Sequence, residues 1–171
     1  MKIDIVDNFL SSYQADSYVK LFGEMPCGEF PWYYEDDLNQ NSYLGNYYFN
    51  HMIVNMGTFT KTGEQYIHLF IPLLSRLKLS MENLWRLKAN LYPRTQRIFH
   101  HRSHTDYDPD SGLGTCLYYV NNNNGMTVFD GKRKVRSKKN RAILFDGSNR
   151  HHSTTPSNCN WRCSINIDYK L

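Results

Sequence analysis

The sequence predicts an α+β fold, with helices in the first half of the chain and strands in the second. In the first half, apolar residues recur every three to four positions, which is typical of helices. From Leu84 onward the apolar period shifts toward two and turn-forming residues become frequent, which indicates short strands. A length of 171 residues with 40% hydrophobic residues favours one domain that spans residues 1–171.

The elements of the first half are predicted as scaffold. Residues 2–6 indicate a short strand, and Ser11 or Ser12 can N-cap the helix that follows. A second amphipathic helix is predicted over residues 63–79, with Pro72 interrupting or kinking it. We expect both helices to pack on a sheet and to carry no chemistry.

Two interpretations of residues 32–37 remain open, because this stretch combines aromatic and acidic side chains after a proline-containing break. It is either a lid that covers a substrate or an irregular surface segment anchored by Trp32.

The second half is predicted to consist of strands at 84–92, 114–120, 126–129, 141–145 and 162–169. The first of these strands should bury one face, formed by Trp85, Leu87, Ala89 and Leu91. Residues 121–125, four asparagines and a glycine, are expected to form a hairpin connection, since both residue types tolerate left-handed backbone.

Composition excludes several classes of protein. No apolar run approaches the roughly 20 residues that cross a bilayer, and the first residues lack the apolar region of a secretory signal. We therefore expect a cytoplasmic protein without membrane contact. The four cysteines show no Cys-x-x-Cys spacing and are expected to be free thiols, with Cys116 and Cys163 buried. Cys27 and Cys159 complete the set.

His104-Thr105-Asp106 is the most informative motif, together with the pair His151-His152 that follows it. Two imidazoles and one carboxylate are the ligand set that holds a non-haem Fe(II) on one side and leaves the other side open for oxygen chemistry. Alternate residues on a strand point to the same face, so the first His and the Asp can reach one ion. The motif predicts a metal-dependent oxygenase. By itself it is equally typical of a surface pair.

The segments around this motif resemble a known family. In order they are Leu-Tyr-Pro at 91–93, His-Thr-Asp at 104–106, Thr-Cys-Leu-Tyr-Tyr-Val-Asn at 115–121, Gly-Met-Thr-Val-Phe at 125–129, Asn-Arg-Ala-Ile-Leu-Phe-Asp-Gly at 140–147, His-His-Ser-Thr-Thr-Pro at 151–156 and Arg-Cys-Ser-Ile-Asn at 162–166. In order and spacing, residues 84–171 resemble the 2-oxoglutarate- and Fe(II)-dependent dioxygenases, most of all the prolyl 4-hydroxylase branch and its small marine-bacteriophage members.

This resemblance implies a double-stranded β-helix, or jelly-roll, buttressed by the N-terminal helices. It also implies Fe(II), 2-oxoglutarate and O2 as reactants, and hydroxylation of an unactivated C–H bond in a peptide or protein. In a phage-encoded protein the cytoplasm is that of the host. Two alternatives stay open: oxidation of nucleobases, and a jelly-roll module that binds metal without turnover.

The resemblance also implies residue roles. His104 and Asp106 match the first two metal ligands, and the Asp favours hydroxylation because halogenating members have a small residue there. Counting from Phe145 places the third ligand on His151, and counting from Pro156 places it on His152. We favour His151.

Co-substrate roles follow in the same way. Arg162 matches the residue that binds the distal carboxylate of 2-oxoglutarate, and its planar guanidinium suits a carboxylate. Tyr119 matches a hydroxyl that shares this task, and Tyr92 matches a tyrosine near the iron-bound end. Thr115 and Asn166 are further candidates for the pocket lining.

Residues 132–141 contain seven of the chain's 20 Lys and Arg. Such a run is either a positive stripe that steers an acidic peptide or a nucleic acid, or a solvated hairpin. No aromatic residue interleaves the charges, which favours the hairpin.

Overall fold

The computed structural model describes residues 2–24, 30–36, 47–130 and 133–171. Cys27, Asp37 and Lys132 lie outside these ranges. The described strands are β1 (Ile3–Asp7), β2 (Tyr33–Glu35), β3 (Tyr48–Asn55), β4 (Thr58–Phe59), β5 (Leu84–Pro93), β6 (Leu113–Tyr119), β7 (Met126–Phe129), β8 (Arg133–Arg136), β9 (Arg141–Asp146), β10 (His151–Ser153) and β11 (Trp161–Lys170).

The helical segments are short. They are α1 (Ser12–Val19), a π-helical stretch (Lys20–Glu24), a 3₁₀ helix (Gly63–Phe70) and α2 (Ile71–Leu77). Ser11 caps α1, because its hydroxyl accepts from the amide of Gln14 and the Gln14 side chain accepts from the Ser11 amide. The second predicted helix is divided: Pro72 lies in the first turn of α2, where a missing N–H costs little, and the 3₁₀ helix precedes it.

Two antiparallel sheets make up most of the described chain. The large sheet has the order β1-β9-β6-β11-β5-β3-β2, with β4 paired to β3. The small sheet has the order β10-β7-β8. The structure is therefore mostly antiparallel β-sheet with two short α-helices.

The large sheet has one helix-facing side and one side that faces the small sheet. On β11, Cys163, Ile165 and Ile167 belong to the apolar core shared with the helices. The alternate residues of the same strand, which begin with Arg162, face the other way. This alternation explains why a central strand has a fully polar face: that face lines an internal cavity.

A second apolar cluster joins the two sheets. It consists of Ile3, Leu117, Tyr119, Phe129, Val135, Ile143 and Phe145. Phe129 and Val135 come from the small sheet and pack on residues of β6 and β9. The cluster therefore closes one end of the space between the sheets and leaves the other end for polar side chains.

Two expectations need correction, and one of two open alternatives is favoured. Residues 121–125 do not form a hairpin, because β6 belongs to the large sheet and β7 to the small one. Residues 33–35 are an edge strand paired with β3, with Trp32 packed on Phe22 and Phe30, which favours the anchored segment over a lid.

The buried face of β5 is also narrower than predicted. Leu87 and Ala89 are fully buried, whereas Trp85 and Leu91 are half-buried.

Other expectations hold. Cys116 and Cys163 are buried free thiols, and Cys159 is free. Within the described ranges, no helix has the length and apolar character needed to span a membrane.

Candidate active site

A cluster of two histidines and one aspartate lies between the sheets. The nearest ligand-type atoms of His104, Asp106 and His151 all lie within 4.8 Å of one another. Nε2 of His151 is 3.6 Å from Oδ2 of Asp106, and Nε2 of His104 is 4.0 Å from Oδ1. The structure thus brings together the first His, the Asp and the favoured one of the two later histidines.

Backbone pairing positions the two histidines. The amide of His104 donates to the carbonyl of His151 at 2.9 Å, and the amide of His151 donates to the carbonyl of His104 at 2.8 Å. His104 and Asp106 lie in an irregular segment and not in a regular strand as predicted. The amides of Asp106 and Tyr107 both donate to the carbonyl of Gly147, which holds this segment beside the end of β9.

Each imidazole is oriented through its other ring nitrogen. Nδ1 of His151 lies 2.8 Å from the carbonyl of Asn149, and Nδ1 of His104 lies 3.3 Å from that of Arg102. A carbonyl only accepts, so both rings carry their proton on Nδ1 and their lone pair on Nε2. Both Nε2 atoms face Asp106. This arrangement is typical of metal-ligating histidines.

Asp106 belongs to a buried charge network. Arg86 Nη2 donates to Asp106 Oδ1 at 2.7 Å, and Arg86 Nε pairs with Asp168. Tyr107 donates its hydroxyl to Asp168 at 2.8 Å. Burial by itself raises the pKa of Asp106, but the charge and the hydrogen bond of Arg86 hold that pKa below its usual range. Asp106 is therefore an anion, and its Oδ2 has no hydrogen-bond partner among the described residues.

The cluster opens into a cavity of about 260 Å³. Its walls come from β5, β11, β6, β7 and β10 together with the 104–106 segment. The lining residues are Tyr48, Arg86, Lys88, Asn90, Tyr92, His104, Thr105, Asp106, Leu117, Thr127, His151, Ser153, Arg162, Ser164 and Asn166. Most of them are polar, so the cavity suits a small polar ligand.

Arg162 is fully buried and contributes to this lining. Its guanidinium donates to three neutral oxygens: the Ser137 hydroxyl at 2.7 Å, the Thr127 hydroxyl at 3.3 Å and the Thr154 carbonyl at 3.4 Å. No carboxylate of the described residues lies within 4 Å of it. A buried cation is costly without a counter-charge, so this side chain is prepared for an anionic ligand.

Tyr119, predicted to assist Arg162, lies against it, and so does Tyr92, which was predicted near the iron-bound end of the co-substrate. The Arg162 guanidinium is 5.1 Å from the ring centre of Tyr92 and 5.6 Å from that of Tyr119. Tyr119 donates its hydroxyl to Thr127 at 2.8 Å, and burial raises the pKa of both phenols, so they remain protonated donors. Tyr92 also stacks on His101.

Some candidate residues do not reach the cavity. Nε2 of His152 is 2.9 Å from Nδ1 of His100, outside the cluster. Thr115 is buried but does not line the cavity, whereas Asn166 lines it and accepts from Asn90 at 3.0 Å.

The basic run 133–141 forms β8 and its connection to β9. Strand β8 is the edge of the small sheet farthest from β10. Lys138 and Arg141 pair with Asp7, and Lys139 pairs with Asp16. Three of the six described cations of the run are therefore paired with acidic residues of β1 and α1. The other three are exposed on β8, which pairs antiparallel with β7, as the hairpin alternative expects.

Sequence reasoning missed Arg86, Lys88 and Asp168. The signal was present, because all three are charged residues at alternate positions of strands whose other face is apolar. Such a face in a central strand lies against a second layer, so its charged residues line an interior site.

Comparison with known proteins adds the fold family. No protein-family model matches the sequence, and no curated protein sequence matches it. Solved structures do match. A viral collagen prolyl hydroxylase from Paramecium Bursaria Chlorella virus-1, solved as a 2OG complex, has a TM-score of 0.56 at 16% identity, over 100% of this chain and 97% of that one.

Two further structures show the breadth of the likeness. A prolyl hydroxylase from Trichoplax adhaerens, in complex with a hypoxia inducible factor peptide fragment, has a TM-score of 0.53 at 18% identity, over 98% of this chain and 83% of that one. The non-heme alpha ketoglutarate dependent epimerase SnoN of nogalamycin biosynthesis has a TM-score of 0.64 at 10% identity, over 98% of this chain and 76% of that one. The chain therefore has the fold shared by prolyl hydroxylases and other 2-oxoglutarate- and iron(II)-dependent oxygenases.

Proposed function

We propose that the chain is an Fe(II)- and 2-oxoglutarate-dependent dioxygenase with a jelly-roll core, which hydroxylates an unactivated C–H bond. One observation carries the proposal: the His-Asp-His cluster and the buried, carboxylate-free Arg162 line the same cavity. The donor set fits Fe(II), because two neutral imidazoles and one carboxylate leave open coordination positions. The buried Asp106 Oδ2, without a hydrogen-bond partner, supports the same assignment.

Each residue of the site has a role in binding the ion or 2-oxoglutarate. His104, Asp106 and His151 hold the ion, and Arg162 binds the distal carboxylate of 2-oxoglutarate with help from Tyr119. Tyr92 forms the cavity wall between the ion and Arg162. When bound, Fe(II) supplies the oxidising chemistry, in which 2-oxoglutarate, O2 and R–H become succinate, CO2 and R–OH.

The two anchors fix 2-oxoglutarate in one orientation. Arg162 offers a planar fork to one carboxylate, and its own partners Ser137 and Thr127 hold that fork in place. The cavity of about 260 Å³ has room for a small acid.

The surface around the cluster supports a peptide or protein substrate. A larger open groove of about 970 Å³ shares Thr105 and Asp106 with the cavity. Met56, Trp85 and Leu113 contribute an apolar part of its lining. A chain lying in this groove would bring a side chain to the ion. The Trichoplax adhaerens enzyme, which has a similar fold, was solved in complex with a peptide fragment, and this supports a peptide substrate. By this analogy the reaction is prolyl hydroxylase-like.

The test is a titration of 2-oxoglutarate into the anaerobic Fe(II) protein, followed by the metal-to-ligand charge-transfer absorbance. We expect a saturable band in the wild type and none in Asp106→Ala, which lacks the carboxylate ligand. Succinate release under air then tests turnover. A protein that binds Fe(II) but gives neither the band nor succinate would be a metal-binding module without catalysis.

A further inference from the structure

Three cations line the cavity, and two of them have a partner or a role in the proposed function. Arg86 is neutralised by Asp106 and Asp168. Arg162 is assigned to the distal carboxylate of 2-oxoglutarate under the proposed function. Lys88 is the third, and it has no role in that scheme.

Lys88 makes one side-chain hydrogen bond to the residues that the structure describes. Its Nζ donates to the Tyr48 hydroxyl at 2.8 Å and lies 5.0 Å from the centre of the Tyr48 ring. No carboxylate of the described residues comes within 4 Å of this ammonium. Lys has three N–H donors, so two remain for a ligand. Burial, followed by the charge of Arg86, lowers the pKa of Lys88 to about 8, which is the effect of a cation with too little compensating charge.

The register separates Lys88 from Arg162. On β5 and β11, Arg86 lies opposite Asp168, Lys88 opposite Asn166, and Tyr92 opposite Arg162. Lys88 is therefore one same-face step, roughly 7 Å, from Arg86 and two such steps from the Arg162 end. Its contact with Tyr48 draws it toward β3, which lies on the side of β5 away from β11. Along β5, Lys88 therefore lies one same-face step from Arg86, which contacts Asp106, whereas Tyr92, opposite Arg162, lies three such steps from Arg86.

Amides surround this position. Asn90 and Asn166 line the same wall and hydrogen-bond to each other, and the Asn90 Nδ2 donates to Asn166 Oδ1 at 3.0 Å. Each amide nitrogen has a second N–H, which is a donor suited to a carboxylate oxygen. A lysine beside two amides forms a donor-rich wall that favours an anion.

We propose that Lys88, with Asn90 and Asn166, forms a second anion subsite that binds a carboxylate of the substrate. The inference rests on the proposed function and narrows it to a carboxylate-bearing substrate, such as a peptide with an acidic residue or chain end near the oxidised carbon. Once 2-oxoglutarate occupies Arg162, Lys88 is the remaining cation of the cavity without a partner charge. The carboxylate holds the substrate beside the ion.

The test uses acetate and acetamide as matched probes of equal shape and different charge. Each is added to the protein loaded with Zn(II) and 2-oxoglutarate, and binding is measured by saturation-transfer NMR. The variants are Lys88→Met, Lys88→Arg and, as a control, Lys61→Met, which removes an exposed lysine. A charge-assisted hydrogen bond supports an expected loss of roughly tenfold or more in acetate affinity for Lys88→Met.

We expect acetate and not acetamide to bind the wild type and Lys61→Met, with partial retention in Lys88→Arg. Equal acetate affinity in Lys88→Met, or no acetate binding to the wild type, would overturn the subsite. A tenfold weaker 2-oxoglutarate affinity in Lys88→Met would assign Lys88 to the co-substrate and would also overturn it. If 2-oxoglutarate does not bind the wild type at all, the proposed function fails, and the acetate comparison on the Zn(II) protein still tests Lys88 separately.

Discussion

The guanidinium of Arg86 donates to Oδ1 of Asp106, and this contact leaves Oδ2 as the oxygen that faces His151. Asp168 holds the same guanidinium and receives the hydroxyl of Tyr107. Arg86 and Asp168 are opposite each other on paired strands, whereas Asp106 lies in an irregular segment. The pairing of β5 with β11 therefore fixes Arg86, and Arg86 in turn orients the Asp106 carboxylate.

Asp168→Asn is expected to weaken metal binding about tenfold, within the range seen when residues behind metal ligands are changed. The asparagine no longer neutralises Arg86, whose charge then acts on Asp106 alone and reduces its strength as a ligand. The measurement is a titration of Co(II) into the metal-free protein by visible absorbance, with thermal unfolding as a check of the fold. Tyr107→Phe, which removes only the hydroxyl, should have a smaller effect. Unchanged Co(II) affinity in Asp168→Asn would show that the pair does not act on Asp106.

His151→Ala should abolish Fe(II) binding and turnover, whereas His152→Ala should retain most of both. The reason is placement: Nε2 of His151 faces Asp106, while Nε2 of His152 lies against His100. Fe(II) binding and succinate release are measured for both variants. The opposite result would move the third ligand by one residue.

Arg162→Ala should weaken 2-oxoglutarate binding by roughly 30-fold to several thousand-fold, because truncating one partner of a buried charge pair costs about 2–5 kcal/mol. Arg162→Lys should recover part of the affinity, since it keeps the charge and loses the fork. Fe(II) affinity without co-substrate should change far less in both. The charge-transfer titration gives the first quantity and direct Fe(II) binding the second. Equal 2-oxoglutarate affinity in wild type and Arg162→Ala would make this arginine structural.

The stability of the protein should fall in mild acid, in part because of His101. Burial, followed by the charge of Arg162, lowers the pKa of His101 from 6.5 to about 3. Between these values the unfolded chain binds a proton that the folded protein refuses, so the free energy of unfolding decreases as pH falls through this window. One such group contributes a slope of up to about 1.4 kcal/mol per pH unit.

The matched variants for this effect are His101→Gln and His68→Gln, the second at an exposed position. Urea unfolding at a series of pH values should give a shallower pH dependence for His101→Gln and an unchanged one for His68→Gln. Parallel curves for His101→Gln and the wild type would contradict the assignment of this proton to His101.

Local patterns predicted most of the strands that flank the site. Strand β7 was predicted with the bounds that it has, and β5, β6, β9 and β11 within two residues at each end. Strands β3, β8 and β10 were missed, because each depends on tertiary pairing more than on its own pattern. β10 is three residues long, so no periodicity can reveal it.

The proposed metal ligands were predicted from the sequence, whereas the charged residues behind them were not. The sequence pointed to His104 and Asp106 through a motif whose spacing reflects ligand geometry, and to His151 through the family resemblance. Side chains that act behind a ligand, such as Arg86 and Asp168, have no fixed spacing, because strand register alone brings them together. The sequence shows which strand faces are polar, and the fold decides which of those faces meet.

The backbone pairing of His104 with His151 holds two of the proposed metal ligands together through hydrogen bonds of the chain itself. Both amides donate across the pair, so little chain entropy is left to lose when the ion binds. Small zinc domains differ, because they fold only around their metal. Under the proposed function, the protein would persist as a folded, iron-free reserve that loads and unloads with the iron available around it, and its activity would follow iron supply without a change in its amount.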